Sequence, residues 1–260
     1  MIHASSLLTL LLIGIFATIA YITYKYVYVE RFVVGEYITF LDASETADFI
    51  RRDPDAYIKN LSPTDLYARK VGSPEEYTRK AANVATNFST KQKERYARAA
   101  RDADAFLRKA RVPDIDLKNV ATIPWVIGLT SGATYEDGLP HTRANIIFMS
   151  TDVDETPESL VQTLVHEKLH LYQRLHPDIM MACLERRGFK RWKQRMGEPR
   201  VRANPDVDPW IYIDPVTREP MVAYYATDKP VNITDVVLDD PSFEHPYEKI
   251  AYDVAQRLNA

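Results

Sequence analysis

His166-Glu167-Lys168-Leu169-His170 gathers three residues that can do chemistry together. Two histidines four positions apart lie one above the other on the same face of a helix. Both imidazoles then reach one metal ion, and zinc suits such a pair. Glu167, beside the first histidine, can hold a water on that ion and take its proton. This H-E-x-x-H spacing points to hydrolysis by zinc-activated water. It makes His166 and His170 candidate ligands and Glu167 the candidate catalytic base. The bland alternative is a core helix whose histidines only hydrogen-bond. That alternative must also explain Glu167 in a largely apolar stretch.

The flanking residues predict the helix that would carry these side chains. Thr156 is a good N-cap, Pro157 fits the first helical position, and Glu158 suits the positive helix end. Leu160, Val161, Leu164, Val165, Leu169 and Leu171 form an apolar surface at helical spacing. Upstream, residues 122–130 and Asn145 to Met149 read as strands around a polar loop, 131–141. A strand just before such a helix can offer its edge to an extended peptide, which pairs with it as an added strand.

Further from the site, residues 40–112 read as an α-helical subdomain. Helices are expected over Asp42 to Arg52, from Ser62, from Ser73 and over Thr90 to Arg111. Downstream, 178–196 reads as a basic helical region carrying Trp192. Trp210 to Ile213 and Met221 to Tyr225 suggest a hairpin, and 246–258 a final helix.

The chain has 260 residues and a net charge of -3, so no basic bias points to nucleic acid. The Lys and Arg between 69 and 111 are interleaved with acids, as on a solvated helical face. Cys183 is the only cysteine, which excludes an intrachain disulfide and a four-cysteine zinc site.

Leu7 to Tyr24 is almost wholly apolar and, extended to Val29, is long enough to span a bilayer. Tyr21, Tyr24, Tyr26 and Tyr28 would form an interfacial belt, with Lys25 and Arg31 beyond. No Lys or Arg precedes the run, which favours an anchor over a cleaved signal peptide. The side of the membrane stays open. The positive charge after the span favours a cytoplasmic domain. Sequons at Asn60, Asn87 and Asn232 lean toward an external or lumenal one.

A catalytic zinc site needs a third protein ligand. His176 completes the ligand spacing of metzincins, but Gln173 stands where that family has the glycine that turns the chain back. A helix continuing to Pro177 would carry His176 roughly 9 Å along the axis from His170. Glu248 lies in the first turn of the predicted last helix, with the small Ala251 one turn later. His245 is the third candidate. Asp253 is a candidate partner for a ligand imidazole.

The pair of segments His166 to His170 and Glu248 to Ala255 resembles gluzincins, H-E-x-x-H peptidases whose third ligand is a glutamate on a downstream helix. Its Glu-x-x-Ala portion is similar to the second motif of ImmA/IrrE-like minigluzincins. The separation of the two segments is long for those small enzymes and implies an insertion. The resemblance implies His166, His170 and Glu248 as zinc ligands, and a nearby His or Tyr, here His245, Tyr225 or Tyr252, to stabilise the oxyanion.

The expectation is an α+β chain in three parts. Residues 1–34 form a membrane anchor and 40–112 a helical subdomain. Residues 113–260 form a zincin-like domain with a small sheet before the metal helix. The expected activity is zinc-dependent hydrolysis of a peptide or protein substrate. The rival is a membrane-tethered binding or structural protein on the same scaffold.

Overall fold

The computed structural model describes residues 37–152, 156–196, 198–238 and 243–259. The chain divides into two units, Met1–Thr39 and Phe40–Ala260. The expected anchor, 1–34, lies outside the described residues. Among the described residues no helix is long and apolar enough to cross a membrane. Segments 40–112 and 113–260 belong to the same second unit.

The first described elements are β1 (Ile38–Phe40), α1 (Ala43–Arg52), α2 (Pro63–Ala68), α3 (Pro74–Asn83), α4 (Thr90–Lys109) and α5 (Leu117–Val120). Next come β2 (Trp125–Thr130), β3 (His141–Arg143), β4 (Ile146–Ser150), α6 (Pro157–Leu175) and α7 (Pro177–Arg186). The last are β5 (Lys190–Gln194), β6 (Trp210–Ile213), β7 (Pro220–Met221), β8 (Ala223–Tyr225), β9 (Val236–Leu238) and α8 (Pro246–Ala255). Local chemistry starts the helices. Asp42, Ser62 and Ser89 each accept from the backbone N–H three residues on, and that residue's side chain reaches back. Pro157, Pro177 and Pro246 open α6, α7 and α8, where a missing N–H costs nothing.

In the second unit the main sheet runs in the order β2-β4-β3. β2 and β4 are parallel, with Ile127 opposite Ile147, and β3 returns antiparallel, with Thr142 opposite Ile147. β2 and β4 are buried along their whole length, as expected of strands covered on both faces. α6 packs against α4 and α8 and touches β3 and β4. Leu164, Val165, Leu169 and Leu171 are fully buried in that packing.

Three expectations change. Segment 178–196 is not helical throughout. α7 stops at Arg186, and Trp192 lies in strand β5. Gly188, at φ 85°, is the reason. Its N–H donates to Glu185 O and that of Phe189 to Leu184 O, the paired bonds of a Schellman closure.

The second change is in the expected hairpin. β6 pairs with β5 and with the short β7, while β8 pairs with β9. Residues 200–202 compete for the chain here: Arg202 N–H donates to Ala223 O, and Tyr225 N–H to Arg200 O.

The third is the peptide-aligning strand. β4 has no free edge, because β2 takes one side and β3 the other. The outer edge belongs to β3, and its outward groups are taken too. Thr142 N–H donates to Asp206 Oδ1 at 2.5 Å, and Thr142 O accepts from Arg174 Nη2 at 3.3 Å.

The loop before β3 is held from below. Glu136 is buried and accepts from Arg69 Nε at 3.0 Å, Arg69 Nη2 at 2.6 Å and Tyr77 Oη at 2.7 Å. Burial pushes its carboxyl up, but the Arg69 guanidinium outweighs that and holds it at about 2. Arg143, fully buried in β3, is clasped by Asp53 and Asp55 from the end of α1.

Candidate metal centre

Helical spacing and one long-range contact build the site. α6 places His166 and His170 on one face, their ring centroids 4.7 Å apart. α8 crosses α6 and brings Glu248 from its first turn. His166 Nε2 and His170 Nε2 lie 2.9 Å apart. Glu248 Oε2 lies 3.2 Å from the former and 3.5 Å from the latter. A tetrahedral zinc with bonds of about 2.0–2.2 Å keeps its ligand atoms about 3.3–3.6 Å apart. The triangle is close to that size, and two imidazoles with one carboxylate are a zinc donor set. The residues present therefore fit the metal. His170 is fully buried, whereas the His166 and Glu248 side chains are 24% and 19% exposed, so the cluster opens on the His166 side. There it meets a cavity of about 380 Å³, also lined by Glu167, His141 and Asp206.

The partners of these three side chains aim them. His170 Nδ1 lies 2.8 Å from Gln173 Oε1, and Gln173 Nε2 donates to Tyr247 O at 3.1 Å. The backbone carbonyl fixes the amide's orientation. The amide oxygen then requires a proton on Nδ1, which leaves Nε2 as the bare donor atom. Glu248 Oε1 accepts from Asn204 Nδ2 at 2.7 Å, which also donates to Glu244 Oε1 at 2.7 Å. Glu244 is in turn bound by Arg202. Burial pushes the Glu248 carboxyl up, but the two imidazoles outweigh it and hold it well below the usual range. Burial pushes the His170 imidazole down, and the Glu248 and Asp206 charges outweigh it.

Glu167 is buried at 3% exposure beside the triangle, and its Oε2 accepts from Thr142 Oγ1 at 2.9 Å. Thr142 thus fixes Glu167 through its side chain and the β3 edge through its backbone. Asp206 shares this pocket; burial and the Glu167 charge push its carboxyl well above the usual range.

No family model, curated protein or solved structure matches this chain. The donor set and its supports therefore carry the reading of the site.

The other sequence candidates are placed elsewhere. His176 caps the end of α6 and turns the chain into α7, with its ring on Tyr172 at 4.5 Å. It is not among the clustered donors. His245 is fully buried and engaged at both nitrogens: Nδ1 accepts from Tyr247 N–H at 3.0 Å, and Nε2 sits 3.1 Å from Asp208 Oδ1. It caps α8 and has no nitrogen left for an oxyanion. Tyr225 donates to Asp65 at 2.9 Å within the Arg69 cluster. Tyr252 is exposed and packs on Phe243. Asp253 pairs with Lys249 at 2.9 Å, so the partner of the ligand imidazole is Gln173 instead.

Thr142, Asn204, Asp206 and Glu244 carried no short-range signal, because their roles depend on distant parts of the chain. Gln173 had one: it is three residues after His170 on the same helix face. Gln173→Leu is expected to weaken zinc binding about 10–100-fold while the chain stays folded, as loss of such a support typically does. Competitive titration against a chelating dye measures it; unchanged affinity would remove Gln173 from the site.

Proposed function

We propose that this chain is a zinc-dependent metallopeptidase of gluzincin type, held at a membrane by residues 1–34. The observation that supports it most is the triangle of His166 Nε2, His170 Nε2 and Glu248 Oε2, at 2.9, 3.2 and 3.5 Å, with the Glu167 carboxylate beside it. When bound, zinc supplies Lewis acidity, which polarises a carbonyl and makes water a stronger acid. In this reading Glu167 accepts the proton of the attacking water and carries it to the leaving amine. The Thr142 hydroxyl donates to the Glu167 carboxylate and holds it in place. Gln173 holds the His170 tautomer, and Asn204 orients Glu248. The substrate is a peptide or an unfolded protein segment.

Metal analysis of the full chain in detergent tests this first. The expected result is one zinc per chain, lost in His170→Ala together with any cleavage of a denatured protein mixture. A wild-type chain that takes up no zinc sinks the proposal. The second reading, a tethered binding or structural protein on this scaffold, draws support from the occupied β3 edge. Zinc at full stoichiometry without cleavage of any denatured protein would favour it.

A further inference from the structure

Asp206 is a carboxylate in the wall of the metal cavity that the proposed chemistry leaves unused. Two bonds fix it. Its N–H donates to Asn204 Oδ1 at 2.8 Å, and the nitrogen of that same amide holds Glu248 Oε1 at 2.7 Å. Its Oδ1 accepts from Thr142 N–H at 2.5 Å, and Thr142 Oγ1 holds Glu167. Asp206 is thus built into the supports of both the third ligand and the candidate base. Its Oδ2 is different. That oxygen has no hydrogen-bond partner among the described residues, nor is it one of their polar atoms sealed from solvent without a partner. In this part-buried residue it therefore opens on the cavity, where a ligand can reach it.

Charge singles out the same group. Arg69 balances Glu136, and Arg202 balances Glu244. Glu248 and Glu167 balance a bound zinc. Among the described residues no Lys, Arg or His stands within ion-pair distance of Asp206. Arg174, across Thr142, donates to Thr142 O and Pro205 O and lines the neighbouring cavity. One negative charge is left over, on Asp206. Burial and the Glu167 charge push its carboxyl up. A cation beside Oδ2 opposes both, because an opposite charge favours the ionised form.

We infer that Asp206 Oδ2 receives a primary ammonium of the substrate, its amino terminus or a lysine side chain, and so is a specificity-determining residue. The inference rests on reading the cavity as the substrate site. Leu139, Ile233, Val236, Leu238 and Phe243 offer apolar surface to the side chains that flank the cation.

The probes are two pairs of hydroxamates. Leucine hydroxamate and its N-acetyl form differ in the α-ammonium. N-acetyl-lysine and N-acetyl-norleucine hydroxamates differ in the side-chain ammonium. Calorimetry with the zinc-loaded full chain in detergent compares wild type with Asp206→Asn. Wild type should favour the charged member of at least one pair about 10–100-fold, the size of a hydrogen bond between charged groups. Asn keeps an oxygen for Thr142 N–H, and with it the preference should vanish. Carbon NMR of the wild type, which needs no variant, should show the Asp206 carboxyl shifting with the charged member and not with its neutral mate. A preference in the first pair alone identifies the amino terminus as the ligand, in the second alone a lysine side chain, and in both, either group. Preference in neither pair, at full zinc, would overturn the inference and leave the metal reading intact, as would a preference that survives in Asp206→Asn. Failure of all the probes to bind the zinc-loaded chain would overturn it as well. Absence of zinc from the wild type is the separate failure of the metal reading. In that case the same pairs as plain amides, which need no metal, decide for or against Asp206.

Discussion

Glu167→Gln is expected to leave the chain folded and zinc-loaded but to lower peptide cleavage by about 10²–10⁴-fold, the usual share of a positioned general base. Gln is nearly isosteric, so the Thr142 hydroxyl still has an oxygen to meet, as it does at 2.9 Å now. Neither the His166–His170–Glu248 triangle nor its supports through Gln173 and Asn204 include Glu167. Zinc content and turnover should therefore separate cleanly. Measured side by side, full zinc with near wild-type cleavage would refute the role of Glu167. Loss of zinc along with activity would mean that the carboxylate also helps assemble the metal site.

The second large effect lies behind the same motif. Lys168, between Glu167 and Leu169, points away from the histidines into the α4 interface. It is fully buried, with Nζ 2.6 Å from Asp104 Oδ1 and 4.0 Å from the Trp125 ring centroid. Trp125 Nε1 donates to the other Asp104 oxygen at 3.1 Å. Burial pushes Lys168 down to about 8 despite its partner, and it pushes Asp104 up despite Lys168. Both partners move toward neutrality. Desolvation opposes their attraction, and the pair fixes α4 against α6. Breaking it from one side is another matter. Asp104→Leu leaves a buried ammonium and should cost about 3–5 kcal/mol, on the order of 10 °C in Tm for a unit of this size. Lys168→Met with Asp104→Leu should recover most of that loss, leaving about 0.5–1.5 kcal/mol for the lost Trp125–Asp104 hydrogen bond. Urea unfolding of the variants gives the order. A double variant as unstable as Asp104→Leu alone would show that the ion pair itself, and not the stranded charge, carries the stability.

What the sequence made legible follows the range of the interactions. Caps and helix starts are decided by neighbours a few residues apart, and Ser62, Ser73, Thr156 and Pro157 read correctly for that reason. Gly188 was equally local: a glycine following Arg186-Arg187 marked the end of α7, but the basic run around it masked the signal. The division of labour between β7 and β8 was not readable, because residues 200–202 decide it from outside the hairpin. The site divides the same way. His166, Glu167 and His170 are one helical turn. Glu248 came into view only as a carboxylate in the first turn of a second helix. Its companion Asn204 lies in a loop without a recognisable pattern. His245 shows the converse error: a histidine near the metal face is here a helix cap with both nitrogens engaged.

The occupied outer edge of β3 has a kinetic meaning. Thr142 offers one N–H and one carbonyl outward, and Asp206 and Arg174 already hold them. Arg174 also binds Pro205 O at 2.6 Å, which ties segment 205–206 to the same strand. An extended guest can zip onto β3 only after that segment lifts. Its arrival rate then levels off with rising concentration, at the rate at which the segment opens. The same latch denies neighbouring molecules a bare strand to add to, so the molecule keeps its stickiest backbone out of reach until something displaces two side chains at once.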